Sequence, residues 1–458
     1  MTPSVISNVE FFASPRRIVL CFDGTGNRFE GAEKDTNIVK LYQMLLRDTP
    51  GQYHYYQRKS HETQLALGHM LDESPTKALL RFWSAAKPFF ITTLDQAIGV
   101  SFEDHVLAGY KFIMRHYEKD DHIYIFGFSR GAYTARFLAE MVHEIGLLSK
   151  GNEEMVPFAW ETFSNFQNSR GNEPQADKDK ALRSYMVKFK AAFCRPGAAV
   201  HFLGLFDCVN SVGQFEIPRH RKSYRYMASP AARHIRHAVS IHERRLKFKP
   251  ALFHVDKDGP PVDLKEVWFA GNHADVGGGW DLQHGQRHLL SDTPLFWMIQ
   301  EVLNLPGSTR KLSFNSPYVV NIVESENKFP GKEEAETTAF EVRRRTNQPH
   351  DMLRRGGGVG LLYLMIITYN LCSSAELLPL FTRLELIRGR WIPVRYPPNL
   401  GAPRDLPLDA EIHPSVYEMI QAGILDKASI PDKGGDNPHL PNVASIRHQG
   451  KMLRQREA

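Results

Sequence analysis

The sequence predicts an α/β fold with a mostly parallel central sheet, helical insertions and an appended C-terminal region. Three observations carry this. Short apolar runs alternate with helix-compatible stretches from residue 17 to about 302, the pattern of a parallel sheet covered on both faces. At least four of these runs end in turns rich in Gly, Asp, Ser or His, which sets a polar cleft along the carboxyl edge of the sheet. One such turn is Gly127-x-Ser129-x-Gly131, between a β-type run and a helix-compatible run. Small residues there relieve crowding where a serine sits on a tight strand-to-helix turn.

The elements follow in chain order. Residues 17–22 form a compact strand that runs into Asp23-Gly-Thr-Gly-Asn27, whose glycines suit close backbone approach to a ligand. Residues 36–46 read as a helix, with Ile38, Val39, Leu41, Met44 and Leu45 at apolar positions, and residues 53–57 as a strand. The stretch through Phe82-Trp83 and Phe89-Phe90 is rich in large apolar groups and suits part of a cap or pocket. A helix over 106–117, the elbow strand over 123–126 and a helix over 132–145 come next. Residues 153–175 are polar and irregular in pattern, whereas 182–193 is again helix-compatible. Strands at 200–206 and 266–270 open onto Asp207-Cys-Val-Asn-Ser-Val-Gly213 and Gly271-Asn-His-Ala-Asp-Val-Gly-Gly-Gly279. Residues 233–241 and 294–302 read as helices. Beyond about 320 the sequence becomes charged, then basic, then proline-rich. The expected division is a core over 15–320 with insertions and a C-terminal region over 321–458 that packs on it and helps to complete the pocket.

Composition narrows the class. With 458 residues, 42% hydrophobic and 24% charged, the chain has the make-up of a soluble globular protein with a substantial core. Its net charge of +6, from 57 basic and 51 acidic residues, permits transient contact with an anionic membrane surface. No basic block resembles a nucleic-acid footprint, so no nucleic-acid partner is expected. Cys21, Cys194, Cys208 and Cys372 have no zinc or iron–sulfur spacing and read as thiols of a reducing compartment. The first residues lack a basic segment followed by an apolar one, so a cytoplasmic location is expected rather than classical secretion. The apolar run over 358–371 is shorter than the roughly 20 residues that cross a bilayer. It reads as a buried segment, with a substrate-lining or membrane-dipping role as the alternative. Nothing in the pattern indicates an oligomeric state.

The chemistry rests on Ser129. A serine hydroxyl is a poor nucleophile until a base within hydrogen-bond reach takes its proton and a third group fixes the tautomer of that base. Among 20 histidines, His273 stands just beyond a strand in a glycine-rich turn and is the candidate base. Asp207 follows an apolar strand and is the candidate orienting acid. Asp275, two positions from His273, is its rival and could instead hold the loop. The order Ser129, Asp207, His273 is that of an α/β-hydrolase and not that of chymotrypsin or subtilisin. The expected oxyanion donors are the backbone amides of Arg130 and of Gly24 or Thr25. Asp23 could contact substrate or lock its loop through an Asx-type turn. The Asp23-Gly-Thr-Gly-Asn27 turn lacks both a Gly-Lys-Ser/Thr ending and a dinucleotide fingerprint. No ligand set accompanies Asp23 or Asp275, so neither a metal nor a cofactor is expected.

Four segments together resemble a known family. They are Phe22-Asp-Gly-Thr-Gly-Asn27, Gly127-Phe-Ser-Arg-Gly-Ala132, Phe206-Asp207 with Val212-Gly213, and Trp268-Phe-x-Gly-x-His-x-Asp-Val-Gly-Gly278. Weaker echoes occur at Ser240-Ile-His-Glu-Arg-Arg245, Leu290-Ser-Asp-Thr-Pro-Leu295 and His413-Pro-Ser-Val416. Over about residues 15–420 the chain resembles the α/β-hydrolase family called DUF2235, which includes the catalytic domain of one class of type VI secretion phospholipases. The resemblance implies a lipolytic Ser-Asp-His hydrolase in which Ser129, Asp207 and His273 match the catalytic motifs, and it favours Asp207 over Asp275. The chain has the look of a fungal member of that family. It departs from the family pattern at His242, where an aspartate is expected before Glu243, and a change in activity or preference would follow if that aspartate serves the substrate site. The expected reaction is hydrolysis of lipid or phospholipid acyl esters. A small-ester or thioester hydrolase, or a hydrolase-like lipid-binding protein of weak activity, are the alternatives.

Overall fold

β1 (Arg17–Phe22) is buried along its whole length and forms the inner spine of the sheet. The computed structural model describes residues 15–24, 31, 34–57, 88–169, 176–209, 230–245, 248–255, 261–282, 289–306, 311–314, 349–350, 383–387, 390–394 and 401–434. After β1 come α1 (Asn37–Met44), β2 (Gln52–Gln57), α2 (Pro88–His116), β3 (His122–Phe128), α3 (Arg130–Glu144) and the two-residue β4 (Leu147–Leu148). Then follow α4 (Val156–Ser169), α5 (Ala176–Phe193), β5 (Cys194–Arg195), β6 (Val200–Phe206), β7 (Ala232–Ser240) and β8 (Asp263–Phe269). The chain continues with α6 (His273–Gly277), α7 (Asp292–Leu303), the hairpin of β9 (Arg383–Ile387) and β10 (Arg390–Val394), β11 (Glu411–Ile412) and α8 (Pro414–Gln421).

Seven strands make one sheet in the order β11-β8-β7-β6-β3-β1-β2, and every neighbouring pair in it is parallel. Parallel strands covered on both faces need apolar side chains on both, which is why β1, β3 and β6 read as near-continuous apolar runs. Alternate residues serve opposite layers. Ile18, Leu20, Phe22 and Ile125 pack with α2, α3 and α4 on one face, and Val19, Cys21, Tyr124 and Phe126 pack with α1 and α7 on the other. Each such side chain taken from water contributes roughly 1.5–3 kcal/mol before the entropy of ordering is counted.

Two expectations fail here. The stretch 233–241, expected as a helix, instead falls in strand β7, Ala232–Ser240. Their charged groups are met by neighbours: Arg236 pairs with Asp263 of β8 and Glu301 of α7, and the His237 ring bonds Glu266. Those partners remove the cost that otherwise keeps Arg and His out of an inner strand. Most of the irregular 153–175 stretch is helix α4, whose Val156, Ala159, Trp160, Phe163 and Phe166 line one buried face. The helix expected over 106–117 starts earlier, at Pro88. The Phe82-Trp83 pair and the 358–371 run lie outside the described residues, as do the side chains of Phe89 and Phe90 and all of Cys372.

Residues 401–434 pack on the far edge of the sheet. β11 pairs with β8, and Leu406, Ala410, Val416, Met419 and Leu425 cluster with Val239, Ile241, Trp268 and Ala270. Cys21, Cys194 and Cys208 are free thiols, and burial pushes Cys208 up to about 12. Among the described residues, no helix is long and apolar enough to cross a membrane.

Candidate active site

The strand register brings the polar turns together. Phe22 of β1 sits beside Gly127 of β3, Phe128 beside Phe206 of β6, Phe206 beside Ala238 of β7, and Ser240 beside Phe269 of β8. Asp23, Ser129, Asp207, Ile241 and Ala270 therefore leave the sheet along one carboxyl edge. The chain order reverses between β1 and β3, because β2 lies on one side of β1 and β3 on the other. Such a switch point is where open α/β sheets bind ligands.

Backbone strain concentrates here. Only three described non-glycine residues have positive φ: Asp120, Ser129 at 59° and Asp207 at 40°. Ser129 is held at φ 59° and ψ −124° between β3 and α3, a conformation costing about 1–3 kcal/mol that the surroundings must enforce. They do so by close approach. A Cβ on Gly131 would stand 2.3 Å from the carbonyl oxygen of Phe22 and 2.5 Å from that of Asp23, so the first turn of α3 packs directly on the end of β1. The Ser129 amide donates to Phe206 O at 3.1 Å, tying the serine to the residue before Asp207.

Asp207 is completely buried and accepts four donors. Its Oδ1 takes the Ser240 amide at 2.8 Å and Nη1 of Arg404 at 2.6 Å. Its Oδ2 faces Nδ1 of His273 at 2.6 Å and takes Nη2 of Arg404 at 3.0 Å. Burial alone would raise this carboxyl, but Arg404 and His273 outweigh it and hold it well below the usual carboxylate range. The His273 ring packs against two aromatic rings, with centroids 4.7 Å from Phe128 and 4.7 Å from Phe248. Phe128 immediately precedes Ser129. Burial lowers the His273 imidazole below its ordinary value against the opposing pull of Asp207, so the neutral form is favoured.

The loop carrying His273 is built by its neighbours. Gly271 has φ 105°, and a Cβ there would fall 2.3 Å from that of Asp275. Asn272 caps α6 through the amides of Ala274 and Asp275, while Asp275 accepts the Asn272 amide in return. The His273 amide donates to Glu243, which also holds Arg245 at 2.7 Å. Burial alone would raise the Glu243 carboxyl, but the charge and hydrogen bond of Arg245, together with the charges of Arg404 and His273, outweigh it and lower that carboxyl.

The remaining predicted residues divide as follows. Asp275 faces His350, whose Nδ1 lies 2.6 Å from Oδ1 and whose amide donates to Oδ2 at 2.9 Å. His350 in turn stacks on Trp280 at 4.2 Å. His242 does not reach Asp207 or His273 through any described hydrogen bond. Its Nδ1 accepts the Gly271 amide at 2.8 Å, its own amide donates to Gly271 O, and its Nε2 lies 3.3 Å from Ser429 Oγ. Burial lowers it to about 4, which keeps it a neutral brace of the His273 loop.

Asp23 accepts Thr36 Oγ1 and Tyr56 OH at 2.8 Å each and the Gly24 amide at 2.6 Å. Burial pushes it up, and those hydrogen bonds only partly offset the rise. Gly24 is close to the serine, since a Cβ there would begin 3.3 Å from that of Ser129. Its amide is committed to Asp23, so it can serve a ligand only when that contact opens. Thr25 lies outside the described residues. Arg130 is the first residue of α3, where amides lack intrahelical acceptors. Burial pulls its guanidinium down to about 10, with no acidic neighbour among the described residues offsetting it.

Sequence reasoning missed Arg404, Arg245, Phe248 and His350 as contacts of this cleft. Glu243 and Arg245 stood within a motif echo and were within reach. Arg404 is 197 positions from Asp207, and nothing local marks it.

Residues 16–301 match the family described as T6SS, phospholipase effector Tle1-like, catalytic domain. The chain is 27% identical over 576 aligned residues to the uncharacterized protein YEL023C of Saccharomyces cerevisiae, covering 92% of this chain and 80% of that protein. An uncharacterized protein from Pseudomonas aeruginosa of known crystal structure is 17% identical with a TM-score of 0.34, covering 72% of this chain and 52% of that one. The structure of the Tle1 effector bound to the VgrG spike from the type 6 secretion system gives 19% identity and a TM-score of 0.27, covering 58% of this chain and 51% of the effector. The chain thus spans about half the length of these two solved structures. With the family match extending over most of the chain, from β1 to α7, the protein belongs to the Tle1-like phospholipase effector catalytic-domain family.

Proposed function

We propose that this chain is a serine hydrolase of carboxylic esters, acting on lipid or phospholipid acyl esters through Ser129, His273 and Asp207. The observation that carries the reading is the strained Ser129 turn beside a buried His273 whose Nδ1 lies 2.6 Å from Asp207. Asp207, held ionised, fixes the tautomer with the proton on Nδ1 and leaves Nε2 to accept a proton. His273 takes the Ser129 hydroxyl proton as Oγ attacks the ester carbonyl. The tetrahedral oxyanion is met by the Arg130 amide and a second donor from the β1 turn. Collapse expels the alcohol, which takes the proton from His273 and leaves an acyl-serine. Water, deprotonated by the same imidazole, then releases the acid.

Family membership and the cationic Arg130 beside the nucleophile support an anionic lipid substrate over a small neutral ester. The division into a core to about residue 320 and a supporting C-terminal region belongs to the same proposal, with residues 401–434 bracing the site.

The test is fluorophosphonate labelling of wild type and Ser129→Ala, with turnover measured on phospholipid vesicles and on matched short ester, thioester and amide substrates. The expected result is labelling and vesicle hydrolysis in wild type, with both lost in Ser129→Ala and a residual rate down by roughly 10³–10⁶-fold. Vesicle hydrolysis that survives Ser129→Ala sinks the reading. Association with vesicles without any turnover would make the chain a lipid-binding relative instead.

A further inference from the structure

The Asp207–His273 pair has a third charged member, which reaches it from the C-terminal region outside the family match of residues 16–301. The Arg404 side chain is fully buried. Its Nη1 donates to Asp207 Oδ1 at 2.6 Å and to Ser240 O at 2.9 Å. Its Nη2 donates to Asp207 Oδ2 at 3.0 Å and to the carbonyl of Phe248, whose ring packs against His273. A planar guanidinium bonded to both oxygens sets the plane of the carboxylate, which a single donor cannot do.

The surroundings of His273 can be summed as charges. Asp207 follows β6, Glu243 and Arg245 follow β7, and Arg404 comes from the C-terminal segment. On its own helix, Asp275 is taken up by His350, and the β3–α3 turn contributes Arg130. The two carboxylates bonded to His273, Asp207 and Glu243, are each paired with one guanidinium, Arg404 and Arg245, and the neutral imidazole leaves that set of four charges balanced, with Arg130 standing outside it. Without Arg404 one negative charge would stand uncompensated, and a proton on His273 would supply the missing cation.

We propose that Arg404 is a positioning residue: it orients Asp207 toward Nδ1 of His273 and, by cancelling the carboxylate charge, keeps the imidazole neutral and able to accept a proton. Its role in turnover rests on the triad reading above, whereas its effect on His273 does not. The bland alternative is an ion pair that only stabilises the fold. A structural pair would change the melting temperature but not the titration of His273.

The experiment uses the full-length protein in three forms: wild type, Arg404→Met and Arg404→Lys. Each is labelled with ¹³C-histidine and titrated by NMR, with the His273 signal assigned by His273→Asn. The His273 midpoint is expected to rise by one pH unit or more in Arg404→Met, a tenfold or greater gain in proton affinity. The acid limb of kcat/KM should move with it at little changed KM. Arg404→Lys keeps the charge but not the two-point hold, so its midpoint should stay near wild type while kcat falls about tenfold.

An unmoved His273 midpoint in folded Arg404→Met overturns the proposal. If Arg404→Met does not fold, Arg404→Lys decides it: wild-type kcat in that variant overturns the positioning role. A shifted midpoint in a protein that no serine probe labels supports the charge coupling and removes the Ser129 reading instead.

Discussion

Two aspartate–histidine pairs each have one member on the loop after β8, His273 in one and Asp275 in the other, and they are alike in the feature most often used to recognise a catalytic pair. Asp207–His273 and Asp275–His350 are both 2.6 Å contacts to Nδ1. Their surroundings differ. Asp207 has no exposed side-chain surface, accepts Arg404 through both oxygens and follows a strand whose last residue accepts the Ser129 amide. Asp275 accepts the Asn272 amide within the α6 cap and the backbone amide of His350. The His273 ring rests on the residue before the serine, whereas His350 rests on Trp280. Hydrogen-bond length therefore does not separate chemistry from architecture. What sets the pair proposed for chemistry apart is its tie to the strained serine through Phe206 and Phe128.

The strongest test of that contrast substitutes one oxygen in each pair. Asp207→Asn removes the charge that fixes the His273 tautomer and offers Arg404 a neutral amide in place of a carboxylate. Ester turnover should fall by about 10⁴-fold. Asp275→Asn keeps an acceptor for the α6 cap and leaves Asp207 untouched, so kcat should fall less than tenfold, with a stability loss of about 1 kcal/mol. Steady-state kinetics on one chromogenic ester checks both. Equal losses in the two variants would erase the distinction.

The same contrast explains what was legible in the sequence. The elbow was readable because its demands are local and steric: Gly131 must pass within reach of the β1 carbonyls, and no larger residue fits. Asp207 and His273 were readable because each follows a strand, and strand ends of a parallel sheet share one edge. Strand β7 was misread because Arg236 and His237 are made tolerable by Asp263, Glu301 and Glu266, partners that only the fold supplies. In α4 the apolar spacing from Val156 to Phe166 was present, but the polar residues between obscured it. Arg404 carried no local signal, since a guanidinium in a proline-rich stretch looks like surface until its carboxylate is known.

A gentler perturbation sharpens the architectural side of the comparison. His350→Ala deletes the contact to Asp275 Oδ1 and the stack on Trp280, but leaves the Asn272 cap of α6 in place. The expected cost is about 1–2 kcal/mol in chemical denaturation, from one charge-assisted hydrogen bond and one ring contact. Turnover should remain within roughly threefold of wild type, a tolerance that reflects intact Asp207–His273 geometry. A loss of 10²-fold or more with a folded protein would mean that the second pair takes part in the chemistry.

The last test, read in stability alone, concerns His242, the brace behind the His273 loop. Burial lowers this imidazole to about 4, whereas in the unfolded chain it titrates near its ordinary value of about 6.5. Between those limits the unfolded state binds a proton that the folded state refuses. Stability must therefore fall as pH drops from about 6.5 toward 4, by at most about 1.4 kcal/mol per pH unit from this one group. Below 4 the folded protein takes the proton as well, and the contribution stops growing. His242→Gln retains an acceptor for the Gly271 amide but cannot titrate, so its urea midpoint should decline less steeply across that window than that of wild type. Parallel slopes would show that His242 is protonated in the folded state at mildly acidic pH, and a charged His242 would have to surrender its bond from the Gly271 amide. The loop would then loosen where His273 is attached, and the two pairs would lose the shared frame that makes their comparison meaningful.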